Sequence, residues 1–504
     1  MIDYVRKILD ARVYDVAEQT PLDAMKRLSQ RLGCRVLLKR EDLQPVFSFK
    51  IRGAYNRIVR LSDAERAAGV ICASAGNHAQ GVALSARRLG MSATIVMPVT
   101  TPPIKIDAVR WFGGKVVLHG DTFEEAHDRA RALEKAEGLT FVHPYDDPEV
   151  IAGQGTIGME ILHQHPEPIE ALFVPIGGGG LAAGVASYVK FLRPETKVIG
   201  VEPADAASMK AAFTAGQRVV LDRVGLFADG TAVRQVGAET FRVCRELLDD
   251  VLIADTDEMC AAIKDIFEDA RVIAEPSGAL ALAGLKAYVA AHPARTGALV
   301  AINSGANMNF DRLRHVAERA EIGEAREILL GVTIPEVPGS YRAFVDVLGA
   351  RTITEFNYRY ADDAAAHVFV GLKLADAPRD KPALIAELTA RGYEVIDISA
   401  DETAGDHVRY MVGGPAPGLR EEVLFRVEFP ERPGGLAKFL DAMGSEWNIT
   451  LFHYRNHGAD YGRVLAGMHV PAADRPRFFD RLRALGYPFE DETTNPAYRM
   501  FLGG

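Results

Sequence analysis

The segment "ALFVPIGGGGLAAGVASYVKFL", residues 171–192, indicates the fold class of the first part of this chain. An apolar run, "ALFVPI", leads into four glycines and then into the helical pattern "LAAGVASYVKFL". The same order recurs in "GVICAS" with "HAQGVALSARRLG" and in "SATIVMPV" with "IKIDAVRWFG". Short apolar strands that alternate with helices are typical of parallel sheets covered by helices on both faces. The sequence therefore predicts an α/β fold up to about residue 320.

The rest of the chain contains an internal repeat. The stretch "VTIPEVPGSYRAFVDVLGARTITEFNYRY" (332–360) resembles "VEFPERPGGLAKFLDAMGSEWNITLFHYRN" (427–456). Each copy has the pattern strand, helix, strand, strand, helix, strand, which predicts a small βαββαβ unit. We therefore expect a first domain at 1–320, a linker at 321–327 and two modules at 328–402 and 422–495.

Length, charge and composition narrow the class of protein. A chain of 504 residues exceeds what one hydrophobic core usually supports, and its formal net charge of -10 disfavours a nucleic-acid or anionic-membrane partner. It shows neither an apolar run long enough for a bilayer nor the apolar core of a signal peptide, so we expect a cytoplasmic protein. Cys34, Cys72, Cys244 and Cys260 form no CxxC pair, which predicts reduced thiols and no metal site.

The four glycines 177–180 are the first candidate binding site. Successive backbone N–H groups beside a helix N-terminus suit a phosphate, and a merely flexible turn would not need four costly glycines. However, Gly177, Gly179 and Ala182 also fit the dinucleotide fingerprint G-x-G-x-x-G/A. Glu202 ends the next strand, "KVIGVE", where an acid could bind a ribose. This segment alone is compatible with a nicotinamide enzyme.

Two further strands end in loops of small polar residues. "CASAGNHAQGVA" places Ser74, Gly76, Asn77 and His78 at a helix start, where free N–H groups could bind a carboxylate. The alternative is a plain N-cap by Ser74 or Asn77, with a histidine that packs locally. "ALVAINSGAN" ends a buried strand at Ser304, which by itself shows only a hydroxyl at a strand end.

Two charged residues at predicted helix starts need an explanation. In "FSFKIRGA" (47–54), the apolar spacing predicts a helix with Ser48 as its N-cap, which puts Lys50 and Arg52 in the first turn. The helix dipole disfavours positive charge there. In "AEPSGALALAGL", by contrast, Glu275 precedes a helix where the dipole alone explains an acid.

Taken together, "SFKIRGA", "SAGNHAQGVA", "GGGGL" and "NSGAN" resemble the fold-type II pyridoxal-phosphate enzymes. Within that group the chain is similar to the biosynthetic threonine dehydratases (threonine deaminases) over nearly its whole length. The resemblance implies a catalytic domain of two parallel-sheet α/β lobes, like the β subunit of tryptophan synthase. It also implies that the repeats are tandem α+β ACT-like regulatory domains.

The resemblance assigns a cofactor, pyridoxal 5'-phosphate, and the residues that bind it. It implies that Lys50 forms the Schiff base and acts as the base, that Asn77 contacts the pyridine 3-oxygen and that Ser304 faces the pyridine nitrogen. The cofactor phosphate would bind at Gly177, Gly178, Gly179, Gly180 and Leu181. The substrate carboxylate would bind at Ser74, Gly76, Asn77 and His78.

Elementary chemistry agrees with two of these assignments. A lysine near a helix N-terminus and a basic neighbour, Arg52, should have a lowered pKa, as a Schiff base requires. A hydroxyl at Ser304, unlike a carboxylate, lets the ring nitrogen stay neutral, which favours β-elimination over a long-lived carbanion. The resemblance thus implies conversion of L-threonine to 2-oxobutanoate and ammonia, the first committed step of isoleucine biosynthesis, with L-serine as a possible second substrate.

For the repeats, the resemblance implies feedback inhibition by isoleucine, opposed by valine, in a homotetramer. An amino-acid effector needs a cation, an anion and an apolar pocket, for which Arg351, Glu431, Tyr358 and Tyr454 are the candidates. The alternative is that the repeats serve oligomerisation only.

Three other functions stay open. One is another fold-type II enzyme that acts on serine or threonine, such as a serine dehydratase, a serine racemase or a threonine synthase, since one methyl group changes binding by only about 1–3 kcal/mol. A nicotinamide-dependent dehydrogenase would leave Lys50, the Asn77 loop and Ser304 unused. A non-catalytic amino-acid sensor would leave Lys50 unexplained.

Overall fold

The computed structural model describes residues 2–225, 227–293, 297–323, 327–349, 351–360, 365–374, 377–399, 401, 416, 419–430, 439–441, 443–444, 446–455 and 461–495. The chain divides into two compact units, which we call the larger unit, Met1–Gly323, and the smaller unit, Glu324–Gly504. Among the described residues, no helix combines the length and the hydrophobicity needed to cross a bilayer.

The larger unit contains two sheets among its described residues. Its strands are β1 (Leu22–Ala24), β2 (Val36–Arg40), β3 (Val70–Ala73), β4 (Ala93–Met97), β5 (Lys115–Leu118), β6 (Thr140–Phe141), β7 (Ile169–Pro175), β8 (Lys197–Pro203), β9 (Asp250–Ala254) and β10 (Ala298–Asn303). A six-stranded sheet has the order β1-β2-β10-β7-β8-β9, and a four-stranded sheet has the order β5-β4-β3-β6. Strand β1 pairs antiparallel, and the other pairs are parallel.

Helices cover these sheets. They are α1 (Ile2–Leu9), α2 (Lys26–Leu32), α3 (Lys50–Ile58), α4 (Asp63–Ala68), α5 (Asn77–Arg88), α6 (Pro103–Trp111), α7 (Phe123–Glu137), α8 (Pro148–Gln164), α9 (Gly180–Leu192), α10 (Ser208–Ala215), α11 (Ala238–Leu247), α12 (Thr256–Ala270), α13 (Pro276–Ala291) and α14 (Leu313–Gly323). Every residue of β4 and β10 is buried, because helices pack on both faces. The predicted pair of parallel-sheet α/β lobes is confirmed.

Among its described residues, the smaller unit forms one antiparallel sheet of eight strands. The strands are β11 (Glu327–Pro335), β12 (Thr352–Arg359), β13 (Ala365–Lys373), β14 (Glu394–Asp397), β15 (Glu422–Pro430), β16 (Asn448–Arg455), β17 (Tyr461–His469) and β18 (Phe489–Asp491). The helices are α15 (Ser340–Leu348), α16 (Ala377–Ala390) and α17 (Arg475–Ala484). The first copy runs β11-α15-β12-β13-α16-β14, which is the predicted βαββαβ order.

The two copies join edge to edge into a single sheet, which the repeat alone does not predict. The strand order is β14-β11-β13-β12-β16-β17-β15-β18, so β12 of the first copy pairs with β16 of the second. In this antiparallel pair, Tyr358 lies opposite Phe452 and Tyr454 lies opposite Phe356. Directly opposed residues, and residues two apart on one strand, lie on the same face of a sheet. These four buried rings therefore form one aromatic cluster across the junction.

Three loops follow strands of the two sheets, and two of these strands, β7 and β10, are neighbours in the six-stranded sheet. The Ser74 loop follows β3, the glycine loop follows β7 and the Ser304 loop follows β10. Ligands of open α/β sheets bind outside the carboxyl ends of such strands.

Candidate active site

Lys50 is the first residue of α3. The backbone before it differs from the prediction: Phe49 holds the N-cap position, no side chain caps the helix there, and the buried Ser48 hydroxyl has no hydrogen-bond partner among the described residues. The reason is that Ser48 pairs with Gly305 in an isolated antiparallel bridge, and Phe49 donates its N–H to the carbonyl of Ser304. The loop after β10 therefore positions the start of α3.

The Lys50 amine lies in a water-poor environment. Its Nζ donates to the carbonyl oxygen of Pro144 at 2.9 Å. Burial lowers the pKa of Lys50 to about 8, and the nearby carboxylate of Glu275 acts in the opposite direction. Such an amine is partly unprotonated at neutral pH, as nucleophilic attack on an aldehyde requires.

Arg52 does not lower the pKa of Lys50, contrary to the prediction. Its guanidinium is fully buried and forms ion pairs with Glu41 at 2.7 Å and with Glu160 at 2.6 Å. Lys39 approaches the other oxygen of Glu160 at 2.6 Å, so two cations and two anions form a closed buried cluster. This cluster joins α3, α8 and the segment after β2, and thereby fixes the helix that begins with Lys50.

The Ser74 loop connects β3 to α5. The N–H of Ser74 donates to Val96, and the N–H of Gly76 donates to the hydroxyl of Ser74 at 3.3 Å. His78 is buried and its Nε2 contacts the carbonyl oxygen of Val142 at 2.9 Å. Burial lowers the pKa of His78 to about 3, so the ring is neutral and packs locally. The loop can therefore offer backbone N–H groups to a carboxylate, but the imidazole brings no positive charge.

Asn77 belongs to a network that sequence reasoning missed. Its Nδ2 donates to Glu275 Oε1 at 2.6 Å, and its Oδ1 accepts from Asn307 Nδ2, also at 2.6 Å. Asn307 Nδ2 in addition donates to the carbonyl oxygen of Val46 at 2.9 Å. The available signals were slight, because Asn307 is the last residue of "NSGAN" and Glu275 resembled an ordinary helix-start acid.

The glycine loop leads from β7 into α9, which begins at Gly180. A Cβ on Gly178 would overlap the ring of Tyr145, one on Gly177 would lie 3.0 Å from the Cα of Thr231, and Gly179 has a φ of +94°. Other side chains are therefore excluded by close neighbours or by backbone conformation. The first N–H groups of α9, including that of the buried Leu181, have no partner within the helix and can bind a phosphate.

Ser304 follows β10 and is buried. Its hydroxyl donates to the carbonyl oxygen of Ser277 at 3.2 Å. Gly305, the next residue, faces the site too, since a Cβ there would lie 2.9 Å from Glu275 Oε1. The Ser304 loop thus contacts both the Lys50 segment and the Asn77 network.

Glu202 is engaged inside the fold. One carboxylate oxygen accepts the N–H of Met209 and the other accepts the N–H of Lys210, both at 2.8 Å. Glu202 thus holds the start of α10 and is fully buried, so its carboxylate is not available to bind a ribose. The geometry removes the main support for a nicotinamide cofactor.

The effector candidates occupy different places in the smaller unit. Tyr358 and Tyr454 lie together in the aromatic cluster at the junction of the two copies, and the Tyr358 hydroxyl donates to Glu336. Arg351 lies elsewhere, after α15, where its Nη1 donates to the carbonyl oxygen of Leu348 at 2.8 Å. Glu431 lies outside the described residues.

The residues around Lys50 fit pyridoxal phosphate. The site combines a partly buried lysine of lowered pKa, a glycine cradle at a helix N-terminus and an uncharged hydroxyl at Ser304. These groups match an aldehyde, a phosphate and a pyridine nitrogen, respectively.

Comparison with protein families matches both units. Residues 13–305 match the family described as pyridoxal-phosphate dependent enzyme. Residues 318–408 and 414–502 match the family described as the C-terminal regulatory domain of threonine dehydratase.

Individual relatives extend this result. The chain is 57% identical over 503 residues to L-threonine dehydratase biosynthetic IlvA of Burkholderia multivorans, with 99% of each chain covered. Among solved structures it resembles the processed form of threonine deaminase isoform 2 from Solanum lycopersicum, with 53% identity and a TM-score of 0.62 over 63% of this chain and 93% of that chain. A serine racemase from maize is 32% identical with a TM-score of 0.59 over 63% of this chain and 96% of that chain.

Proposed function

The chain belongs to the pyridoxal-phosphate-dependent enzymes, and within them to the threonine dehydratases that carry a C-terminal regulatory domain, so we propose that it converts L-threonine to 2-oxobutanoate and ammonia. The chain is then an L-threonine ammonia-lyase of isoleucine biosynthesis. The observation that carries this proposal is the partly buried Lys50 amine of lowered pKa, which donates to Pro144 beside Tyr145, the residue that packs on the glycine loop.

Each part of the site has one task. Pyridoxal phosphate, when bound, would supply an electron sink for the α-carbon of the amino acid, which would make the α-proton acidic. The Lys50 amine holds the cofactor and, once released, accepts that proton at Nζ. The first turn of α9 and the glycines before it bind the phosphate group, and Asn77 binds the ring oxygen.

The substrate is oriented by the loop between β3 and α5. The loop from Ser74 to His78 binds the carboxylate of threonine at the start of α5, while the neutral imidazole of His78 fixes the loop against Val142. The β-hydroxyl leaves as water and one water is taken up later. The net products are therefore 2-oxobutanoate and ammonia.

Ser304 accounts for the type of reaction. Its neutral hydroxyl, which donates to Ser277, provides no negative charge to keep a pyridine nitrogen protonated. A weaker electron sink favours prompt loss of the β-hydroxyl. We assign threonine as the main substrate and serine as a secondary one, because the site has the same polar groups to offer both.

The test is the Lys50→Ala variant. Removing the amine should abolish 2-oxobutanoate formation from L-threonine, and borohydride reduction of the wild-type holoenzyme should attach the cofactor to the peptide that contains Lys50. Turnover or borohydride attachment that persists in the variant would contradict the assignment. A wild-type protein that releases a 2-oxo acid from serine but not from threonine would favour the serine dehydratase alternative.

The smaller unit serves regulation in this proposal. We assign a catalytic domain to 1–320, a linker to 321–327 and regulatory modules to 328–402 and 422–495, in a cytoplasmic homotetramer. Isoleucine inhibits and valine opposes it, with Arg351, Tyr358, Glu431 and Tyr454 as effector residues. The match of residues 318–408 and 414–502 to a regulatory domain, and the meeting of Tyr358 and Tyr454 on one face of the sheet, support this assignment.

A further inference from the structure

Glu275 lies at the start of α13 but does not act as its cap. No hydrogen bond from its side chain to its own helix occurs in the part of the chain that the structure describes. The carboxylate instead accepts the Asn77 Nδ2 at 2.6 Å, and the Asn307 backbone N–H also bonds to it. Two glycines make room for it, since a Cβ on Gly305 or Gly230 would lie 2.9 Å or 3.3 Å from its Oε1. A buried carboxylate that accepts two hydrogen bonds from another loop and another helix, in space left by two glycines, has a use beyond helix capping.

The network fixes the orientation of the Asn77 carboxamide from both ends. A carboxylate only accepts hydrogen bonds, so the group of Asn77 that faces Glu275 must be the amide nitrogen. Asn307 Nδ2 donates to Val46, so the same nitrogen donates to the Asn77 oxygen on the other side. Two independent constraints therefore give the same orientation, and one Nδ2 hydrogen of Asn77 is left for a ligand.

The same carboxylate also acts on Lys50. Burial raises the pKa of Glu275 itself to about 7, and in its ionised form Glu275 favours the protonated form of the Lys50 amine and thus opposes the effect of burial on Lys50. The other groups that face this pair are Asp229 and Lys105 on the side of Glu275, and His78 and His143 on the side of Lys50. Burial lowers the pKa of both histidines, so they are neutral and contribute little charge.

We propose that Glu275 is a positioning residue of this active site: it orients Asn77 through a direct hydrogen bond and places its carboxylate beside Gly305, which pairs with Ser48 just before Lys50. The inference deepens the proposed function, on which it rests because both make Lys50 the reactive amine. Asn307 acts with Glu275, as the second support of Asn77.

The first test measures the titration of Lys50 in the full-length chain freed of cofactor. Brief labelling with acetic anhydride at a series of pH values, followed by mass spectrometry of the Lys50 peptide, gives the midpoint at which the amine becomes reactive. Glu275→Gln removes the charge and keeps the shape. We expect the midpoint to fall by about half a unit or more from the wild-type value, because a neighbouring negative charge is lost.

Glu202→Gln is the matched control. Glu202 is also a buried glutamate whose pKa burial raises to about 7, and it also accepts two N–H groups, but it holds α10. This variant loses a comparable buried charge and should leave the Lys50 midpoint unchanged. Equal midpoints in the wild type and Glu275→Gln, or equal shifts in both variants, would overturn the proposal. Failure to trap cofactor on Lys50 with borohydride would instead reject the proposed function.

The second test addresses Asn77. In the holoenzyme, Asn307→Ala removes one support of the carboxamide without changing the charge of the site. We expect the visible absorption maximum of the bound cofactor to shift in both Asn307→Ala and Glu275→Gln, and kcat for threonine to fall about tenfold or more in Glu275→Gln. Unchanged spectra in both variants would contradict the positioning of Asn77.

Discussion

At the scale of single residues, the pKa of the Lys50 amine is lowered mainly by burial and not by a neighbouring positive charge. The lysine stands at the first position of α3, where the dipole of the helix disfavours a positive charge. The dominant cause of its lowered pKa is nevertheless the loss of water around the amine, and Glu275 partly reverses the effect. Arg52, two residues away, is neutralised by its own carboxylates.

The glycine loop allows a test of whether close packing at Gly178 is required for cofactor binding. Gly178→Ala places a Cβ into the ring of Tyr145, which must move and displace the loop that binds phosphate. We expect a loss of about 1–3 kcal/mol in the free energy of unfolding and weaker cofactor binding, measured by urea unfolding and by titration with pyridoxal phosphate. Gly331→Ala is the control, because a Cβ there lies 3.9 Å from its nearest neighbour and should cost nothing. Unaltered cofactor binding in Gly178→Ala would argue against the loop as the phosphate site.

His78 gives a pH-dependent prediction. Burial lowers the pKa of His78 to about 3 in the folded protein, whereas the unfolded chain has the ordinary value of 6.5. Between these values the unfolded state binds more protons, so the stability that depends on His78 is lost as the pH falls from 6.5 towards 3. His78→Gln keeps a donor for Val142 and removes the titration. As the pH falls from 6 to 4, the free energy of unfolding of the variant minus that of the wild type should rise by about 1 kcal/mol per pH unit. Urea unfolding at each pH measures this difference. A constant difference across that range would contradict the prediction.

Sequence reasoning reached the loops of the site because each loop lies directly after a strand and contains its residues in one run. Asn77, the four glycines and Ser304 could be chosen in this way, whereas Lys50 was singled out as a positive charge at a helix start and given its role by the resemblance. Glu275 could not, because its partners Asn77 and Asn307 belong to other loops and a helix-start acid has an adequate local explanation. The burial of Arg52 was missed for the same reason, since its partners Glu41 and Glu160 are distant in sequence.

At the scale of elements, α3 depends on a buried electrostatic cluster. Arg52 is its only charged residue that is fully buried, among those the structure describes, and it joins the helix to α8 through Glu160. Arg52→Met would leave two buried carboxylates with less compensation, which typically costs about 3–5 kcal/mol. We expect a loss of this size in urea unfolding, together with a lower rate of reaction because Lys50 is displaced.

Arg110→Met is the control for this prediction. Arg110 also lies on a helix and pairs with a carboxylate, Asp107, but both side chains are exposed to solvent. An exposed pair of this kind contributes about 0–1 kcal/mol. Equal losses in the two variants would mean that the buried cluster is not what holds α3.

The sequence predicts which segments form helices and strands, but it does not predict which strands pair with each other. Wholly apolar strands such as β4 and β10 have a local signature, since both of their faces are buried. The junction of β12 with β16 has no such signature, because edge strands of two similar modules could also have remained apart. The aromatic residues Tyr358 and Phe452, which are buried at that junction, read equally well as core residues of separate modules.

At the scale of the whole molecule, the two units separate catalysis from regulation. All residues assigned to the reaction lie in the larger unit, Met1–Gly323, and all effector candidates lie in the smaller one. A chain that ends before residue 325 should therefore form 2-oxobutanoate from threonine and no longer respond to isoleucine. Initial rates with and without isoleucine measure this. Tyr358→Ala in the full-length chain is the companion variant, and it should weaken inhibition while leaving the uninhibited rate unchanged. Undiminished inhibition of the shortened chain would place the effector site in the larger unit.

The position of β10 has a consequence for how the chain folds during its synthesis. This strand lies between β2 and β7, although it is the last strand of the larger unit in the chain. The ribosome releases Lys50 and the glycine loop long before it releases residues 298–303, and domains generally fold as units once they are synthesised. Until β10 arrives, the two halves of the six-stranded sheet have no strand to join them, and Ser304 and Asn307 do not yet exist. The nascent chain therefore carries Lys50 while residues 51–303 are still being added, before its site is complete.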